Sequence, residues 1–196
     1  MYSEEAFAAL PDDAEPEVTR VNLEEHLLRM RVLGLPVRPT SFIDPPPRHA
    51  VADATEGLVC LGLVDAAFEP TPCGRALTAL PLPPRSAVAL LHARHCLEDT
   101  AAVLAMLHQE NLFLPSYTSL VSASDFDAML TVYRRCCTGG RHTCAQLGIN
   151  ASSFKIVRQS VDQLVRIARG FPERLLRDAG GDRADRSPER HEKRPA

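Results

Sequence analysis

Of the 22 basic residues in this 196-residue chain, only Lys155 and Lys193 are lysines. That scarcity excludes a class of function. A loop that cradles nucleotide phosphates needs a lysine directly after glycine and before serine or threonine. Phe154 and Ile156 flank Lys155, and Glu192 and Arg194 flank Lys193, so the chain has no such loop. A D-E-x-H or D-E-x-D box for magnesium is also missing. The chain alone is expected not to hydrolyse ATP.

Long apolar runs are missing too. The most apolar region, around 86–107, is broken by His92, Arg94, His95, Glu98 and Asp99, so no run reaches membrane length. Residues 1–17 hold six acidic side chains and no basic one, the opposite of a secretory signal. The expectation is a soluble intracellular protein, nuclear or cytoplasmic, without a membrane partner. Cysteines 60, 73, 96, 136, 137 and 144 then read as reduced thiols.

No G-x-S-x-G is present, and no histidine is placed by motif against a serine or cysteine, so no catalytic residue is assigned. Two His/Cys groups invite a metal. His92, His95 and Cys96 share one helical stretch, and Cys136, Cys137, His142 and Cys144 surround a Gly-Gly pair. Neither has the paired two-residue gaps of a closed zinc site, and no metal is expected.

What the chain does have is a charge gradient beneath a net charge of −3. Residues 1–70 hold 5 basic and 13 acidic side chains, whereas 131–177 hold 9 basic and 2 acidic. Such asymmetry points to an anionic partner at the basic end. On the last apolar-periodic stretch Lys155, Arg158, Arg166 and Arg169 form a stripe; Arg134 and Arg135 end the preceding one, and Arg141 lies between them. Guanidinium groups contact phosphate in pairs of hydrogen bonds, so this set is the candidate surface for a nucleic-acid backbone. A solvated face with an Arg158–Asp162 pair one turn apart is the competing reading.

Periodicity predicts helices at 22–34, with Asn22 as N-cap and Gly34 as stop, and at 45–61, capped by Asp44 with Pro45 in the first turn and closed by Gly62. Residues 63–74, rich in turn formers, suit a small hairpin. A short helix follows at 74–80, and two more fill 86–112, meeting near 97–100. Further helices are read at 125–137 and 152–169, the last with Phe154, Val157, Val161, Leu164, Val165 and Ala168 on its apolar face. The tail from Asp178 onward is charged and nearly free of large apolar residues, which predicts disorder.

Five ordered motifs then carry a resemblance. PEVTRVNLEEHLLRMRVLGL (16–35), FIDPPPRHAV (42–51), LGLVD (61–65), TPCGRAL (71–77) and LPLPPR (80–85) look like the helicase-associated region of DEAH-box RNA helicases. That family shows P-E-I-x-R-x-x-L, F-x-D-P-P-P, L-G-A-L-D, L-T-P-L-G-R and P-L-D-P-R in this order. AVLAMLHQENLFLP (102–115) and SDFDAMLTVYRRC (124–136) resemble its next unit, with Ser124 and Phe126 where glycine and histidine are usual. The likeness covers roughly residues 1–169.

The resemblance implies a mainly α protein. An N-terminal extension (1–13) would lead into a winged-helix domain with a small β wing (14–81), packed on a helical ratchet bundle (82–171) and followed by a disordered tail (172–196). The implied function is the accessory part of an ATP-dependent RNA helicase, closing the RNA channel and contacting single-stranded RNA. Motor lobes in cis or in trans and ribonucleoprotein components are the implied partners, and ATP and magnesium belong to the motor alone. The alternative is a freestanding, motorless adaptor docking on a helicase or RNA particle. Duplex DNA binding is disfavoured, because 45–61 sets Arg48 alone as a strong base against Asp53 and Glu56.

Overall fold

A computed structural model describes residues 3–5, 16–117, 123–172 and 175. Most of the expected disordered tail and of the N-terminal extension lies outside the described residues, as does 118–122; of the tail, 172 and 175 are described, and Leu175 is buried. Seven α-helices are formed among those described: α1 (Glu24–Val32), α2 (Arg48–Cys60), α3 (Pro72–Leu77), α4 (Pro84–His92), α5 (Leu97–Leu107), α6 (Asp125–Gln146) and α7 (Ala151–Arg169). The protein is mainly helical, as expected. None of these helices is long and apolar enough to cross a membrane.

Helix ends follow local chemistry. Helix α1 has Leu23 rather than Asn22 as its N-cap residue, and Asn22 Oδ1, one residue earlier, accepts a hydrogen bond from the Glu24 amide at 2.8 Å. Helices α1, α2 and α6 all stop on a glycine of positive φ: Gly34, Gly62 and Gly148. In each, the glycine amide and the one after it reach back to carbonyls in the last turn, as in Leu35 N to Met30 O (2.8 Å) and Ile149 N to Cys144 O (2.8 Å).

The triple proline corrects the sequence reading. Helix α2 begins at Arg48 with Pro47 as its N-cap residue, extended at φ −56° and ψ 140°, and Asp44 caps nothing. A residue that precedes proline is driven out of the α region. With prolines at 45, 46 and 47, the three residues 44–46 each carry that restriction, so the helix waits until all three have passed. Other boundaries shift as well. Helix α3 starts two residues early because Thr71 Oγ1 accepts from the Gly74 amide at 3.0 Å. The break in 86–112 falls at the 3-10 turn Arg94–Cys96 rather than at 97–100, and α5 ends at Leu107. The Gly-Gly pair bends α6 at Gly140 (φ 63°, ψ −151°), but the helix resumes and runs to Gln146.

Residues 63–71 double back through one antiparallel bridge, Val64 with Pro70, supported by Asp65 N to Glu69 O at 2.9 Å. Among the described residues no longer strand forms there. Arg31 of α1 holds this loop down: its Nε donates to Phe68 O at 3.0 Å, its guanidinium lies over the Phe68 ring, and it pairs with Glu69.

One cluster of buried apolar side chains runs from Leu23, just before α1, through Leu58, Leu80, Leu90 and Ala102 to Ala168 on α7. Ala101, Ala102 and Ala105 are buried on α5, and small side chains there let α7 lie close. All six residues expected on the apolar face of α7 are buried. A second link joins α1 to α4. The Glu24 side chain, 5% exposed, accepts from Arg85 Nη2 at 2.7 Å and from Nε at 3.1 and 3.2 Å. Both hydrogen bonding and charge attraction from Glu24 raise the Arg85 pKa above its usual value.

Candidate nucleic-acid interface

The turn between α6 and α7 sets the geometry of the basic surface. Asn150 Oδ1 caps α7 by accepting from the amides of Ser152 (3.0 Å) and Ser153 (3.3 Å). A backbone bridge between Phe113 and Ile149 pins the turn to the preceding connection. The buried stripe of α7 faces the core, which leaves Lys155, Arg158, Arg166 and Arg169 exposed on its outer side.

Six of the seven basic residues singled out from sequence fall into two neighbouring grooves. The first, about 600 Å³, brings Arg141 beyond the α6 bend together with Lys155 and Arg158 of α7. Its floor includes Cys136, Cys144 and Phe154. Burial, followed by a hydrogen bond with Cys144, pushes the Cys136 thiol up to about 12, so the floor is neutral. The second, about 740 Å³, gathers Arg134, Arg166 and Arg169 around Tyr133, Val161 and Val165. Burial, then the neighbouring Cys137, pushes the Tyr133 phenol up to about 12. Arg135 is exposed but lines neither groove.

The two grooves differ electrostatically. In the second, Arg134 pairs with Asp99 at 2.8 Å and Arg169 with Glu98 at 2.7 Å, both partners coming from the first turn of α5. These pairs are solvent-exposed, so each is worth roughly 0–1 kcal/mol and yields readily to a phosphate. In the first groove, Arg141, Lys155 and Arg158 form no ion pair with a described residue, and the Arg158–Asp162 pair expected on the solvated-face reading is not made. Asp162 instead lies on the border and lines both grooves. Sequence patterning missed Glu98 and Asp99, which sit 71 and 35 residues from the arginines they meet. Among the described residues, no group of three His, Cys, Asp or Glu side chains is arranged to hold a metal.

No family model matches this chain. Individual relatives do. A probable ATP-dependent RNA helicase of Homo sapiens, DHX35, is 34% identical over 118 residues, covering 58% of this chain. Over about 58% of its length this chain is similar to DEAH-box ATP-dependent RNA helicases. The pre-mRNA-splicing factor ATP-dependent RNA helicase DEAH10 of Arabidopsis thaliana is 35% identical over 117 residues, again 58% of the chain. In Caenorhabditis elegans the probable RNA helicase DHX35 homolog matches at 25% over 188 residues, 87% of the chain. The resemblance read from the motifs is thereby supported at the level of the helicase family. The chain spans 17% of the human helicase, 16% of the Arabidopsis one and 26% of the nematode one, a small part of each.

Proposed function

We propose that this chain acts as the C-terminal accessory region of a DEAH-box RNA helicase, contacting single-stranded RNA behind a motor that it does not itself contain. In this reading residues 14–81 form a winged helix whose wing is the 63–71 loop, and 82–171 form the ratchet. ATP and magnesium are bound by the motor, present in cis or in trans. The relatives, among them a splicing factor, favour a nuclear or cytoplasmic ribonucleoprotein setting.

The observation that carries the RNA assignment is the first groove. Three cations from two elements converge there over a neutral floor, with no carboxylate paired to them among the described residues. A like-charged cluster of this kind is held at a cost in self-repulsion, and a phosphate backbone relieves it.

The test is fluorescence anisotropy with a short labelled oligouridylate, comparing the wild-type chain with Arg141→Glu/Lys155→Glu/Arg158→Glu. The variant is expected to bind more weakly. Its plot of log affinity against log salt is expected to flatten by about 2, since each lost single-strand phosphate contact removes about 0.7. Unchanged affinity and slope would refute the assignment.

The adaptor reading also has an observation in its favour. Leu33, Leu35 and Ile43 are 73%, 48% and 100% exposed, in one loop that Ser41 Oγ closes on Pro36 O at 2.8 Å. Exposed apolar loops of this kind suit a protein partner. Co-purification with a motor-bearing polypeptide, lost on Leu33→Ser/Ile43→Ser, would support it.

A further inference from the structure

Among the described residues Phe126 is the one phenylalanine or tyrosine that is exposed rather than buried or half-buried, 61% accessible in the first turn of α6. Its ring stands beside a third depression, about 480 Å³, walled by Val103, Leu104 and Leu107 of α5 and Leu130 of α6. Leu107 is itself 46% exposed, so this apolar surface is open to solvent. A volume in the range of roughly 300–1,000 Å³ is that of ordinary small-ligand sites.

Position on the surface identifies the occupant. Asp99 lines both this depression and the groove of Arg134, Arg166 and Arg169. Asp162 in turn joins that groove to the one holding Arg141, Lys155 and Arg158. The three depressions therefore form one track, cationic at one end and apolar with an aromatic at the other. Single-stranded nucleic acid asks for that combination: cations for the backbone, and aromatic faces on which unpaired bases stack. No cation lines the apolar end, so the part of the strand that enters it is a base rather than a phosphate.

We propose that Phe126, backed by Leu107 and Leu130, is a stacking platform for an unpaired nucleobase of the same single-stranded RNA. The inference rests on the RNA reading above and adds to it a second, uncharged recognition element at the far end of the track. Because every base has a π face, the platform is tolerant of sequence. It contributes affinity without contributing to the salt dependence.

The experiment uses the full chain and the same labelled oligouridylate, with Phe126→Ala and Phe126→Trp beside the triple charge reversal. Phe126→Ala is expected to weaken binding by about fivefold or more, the usual result of removing a base-stacking ring, with the salt slope unchanged. Phe126→Trp is expected to restore it. An oligonucleotide of abasic sugar-phosphates should bind the wild-type chain and Phe126→Ala equally. Because the ring is exposed, unchanged thermal melts of both variants serve as the folding control. If charge reversal weakens binding and Phe126→Ala does not, the stacking platform is overturned and the RNA groove stands. A flattened salt slope in Phe126→Ala, or a loss that tryptophan does not rescue, also overturns it. If no variant changes binding, both proposals fall.

Discussion

Replacing Gly57 with alanine should destabilise this protein, although alanine is the better helix former. Gly57 lies inside α2, where a Cβ would stand 2.2 Å from Glu24 Oε1 and 3.2 Å from Arg85 Nη2. In an open helix the change gains about 1 kcal/mol. Here it meets a carboxylate that is almost wholly buried and held by three hydrogen-bond contacts to Arg85. Overpacking costs about 1–3 kcal/mol, and displacing a charge-assisted hydrogen bond about 1.5–3 kcal/mol. The net is a loss of roughly 1.5–5 kcal/mol, which for a chain of this size lowers the melting temperature by about 3–20 °C. The assay is thermal unfolding followed by circular dichroism for wild type, Gly57→Ala, Glu24→Ala and the double variant. In the Glu24→Ala background the obstacle is gone, so alanine at 57 should be neutral or stabilising there. The reasoning is refuted if Gly57→Ala raises the melting temperature in the wild-type background, or if its effect is the same in both.

Two further predictions concern the cysteines and Tyr133. Iodoacetamide applied to the native chain should modify Cys60, Cys96 and Cys137, which are exposed, and spare Cys73, Cys136 and Cys144, which are buried. Intact mass should show three adducts in buffer and six in denaturant; rapid addition of a fourth without denaturant would contradict the burial. Stability should also fall in alkali. Cys136 moves from an ordinary 9.0 to about 12 on folding, and Tyr133 from 10.0 to about 12. The unfolded chain therefore loses these protons first, and the stability they confer is complete below about pH 9 and lost as pH rises toward 12. Urea midpoints measured across that window should decline, and a constant midpoint would refute the assignment.

How much of this was legible in the sequence depends on the range of each signal. The α7 stripe from Phe154 to Ala168 could be read because its period is local, and so could the stops at Gly34 and Gly62. The start of α2 was misread because one proline suits a first helical turn, whereas three in a row each constrain the residue before them. Six of the seven basic residues do converge, but the division of that surface was not legible. It depends on Glu98 and Asp99 arriving from α5 to pair with Arg169 and Arg134, and on Arg141, just past the bend at Gly140, lining the same groove as Lys155. The Glu24–Arg85 contact joins residues 61 apart, beyond any pattern along the chain. Phe126 could be seen in the sequence as a departure from the helicase motif. That its ring is left outside could be learned only from packing.

The unbroken apolar cluster from Leu23 to Ala168 also governs how this polypeptide comes apart. Leu80 and Leu82, within the LPLPPR segment itself, lie in that cluster, as do Leu77 before it and Leu90 and Leu91 after it. Severing the chain near residue 82 would leave each piece with a greasy face and would cut the tie between Glu24 and Arg85. The two halves are thus a single cooperative unit: heat or denaturant should take them down in one transition, and neither can be lent to another protein without the other.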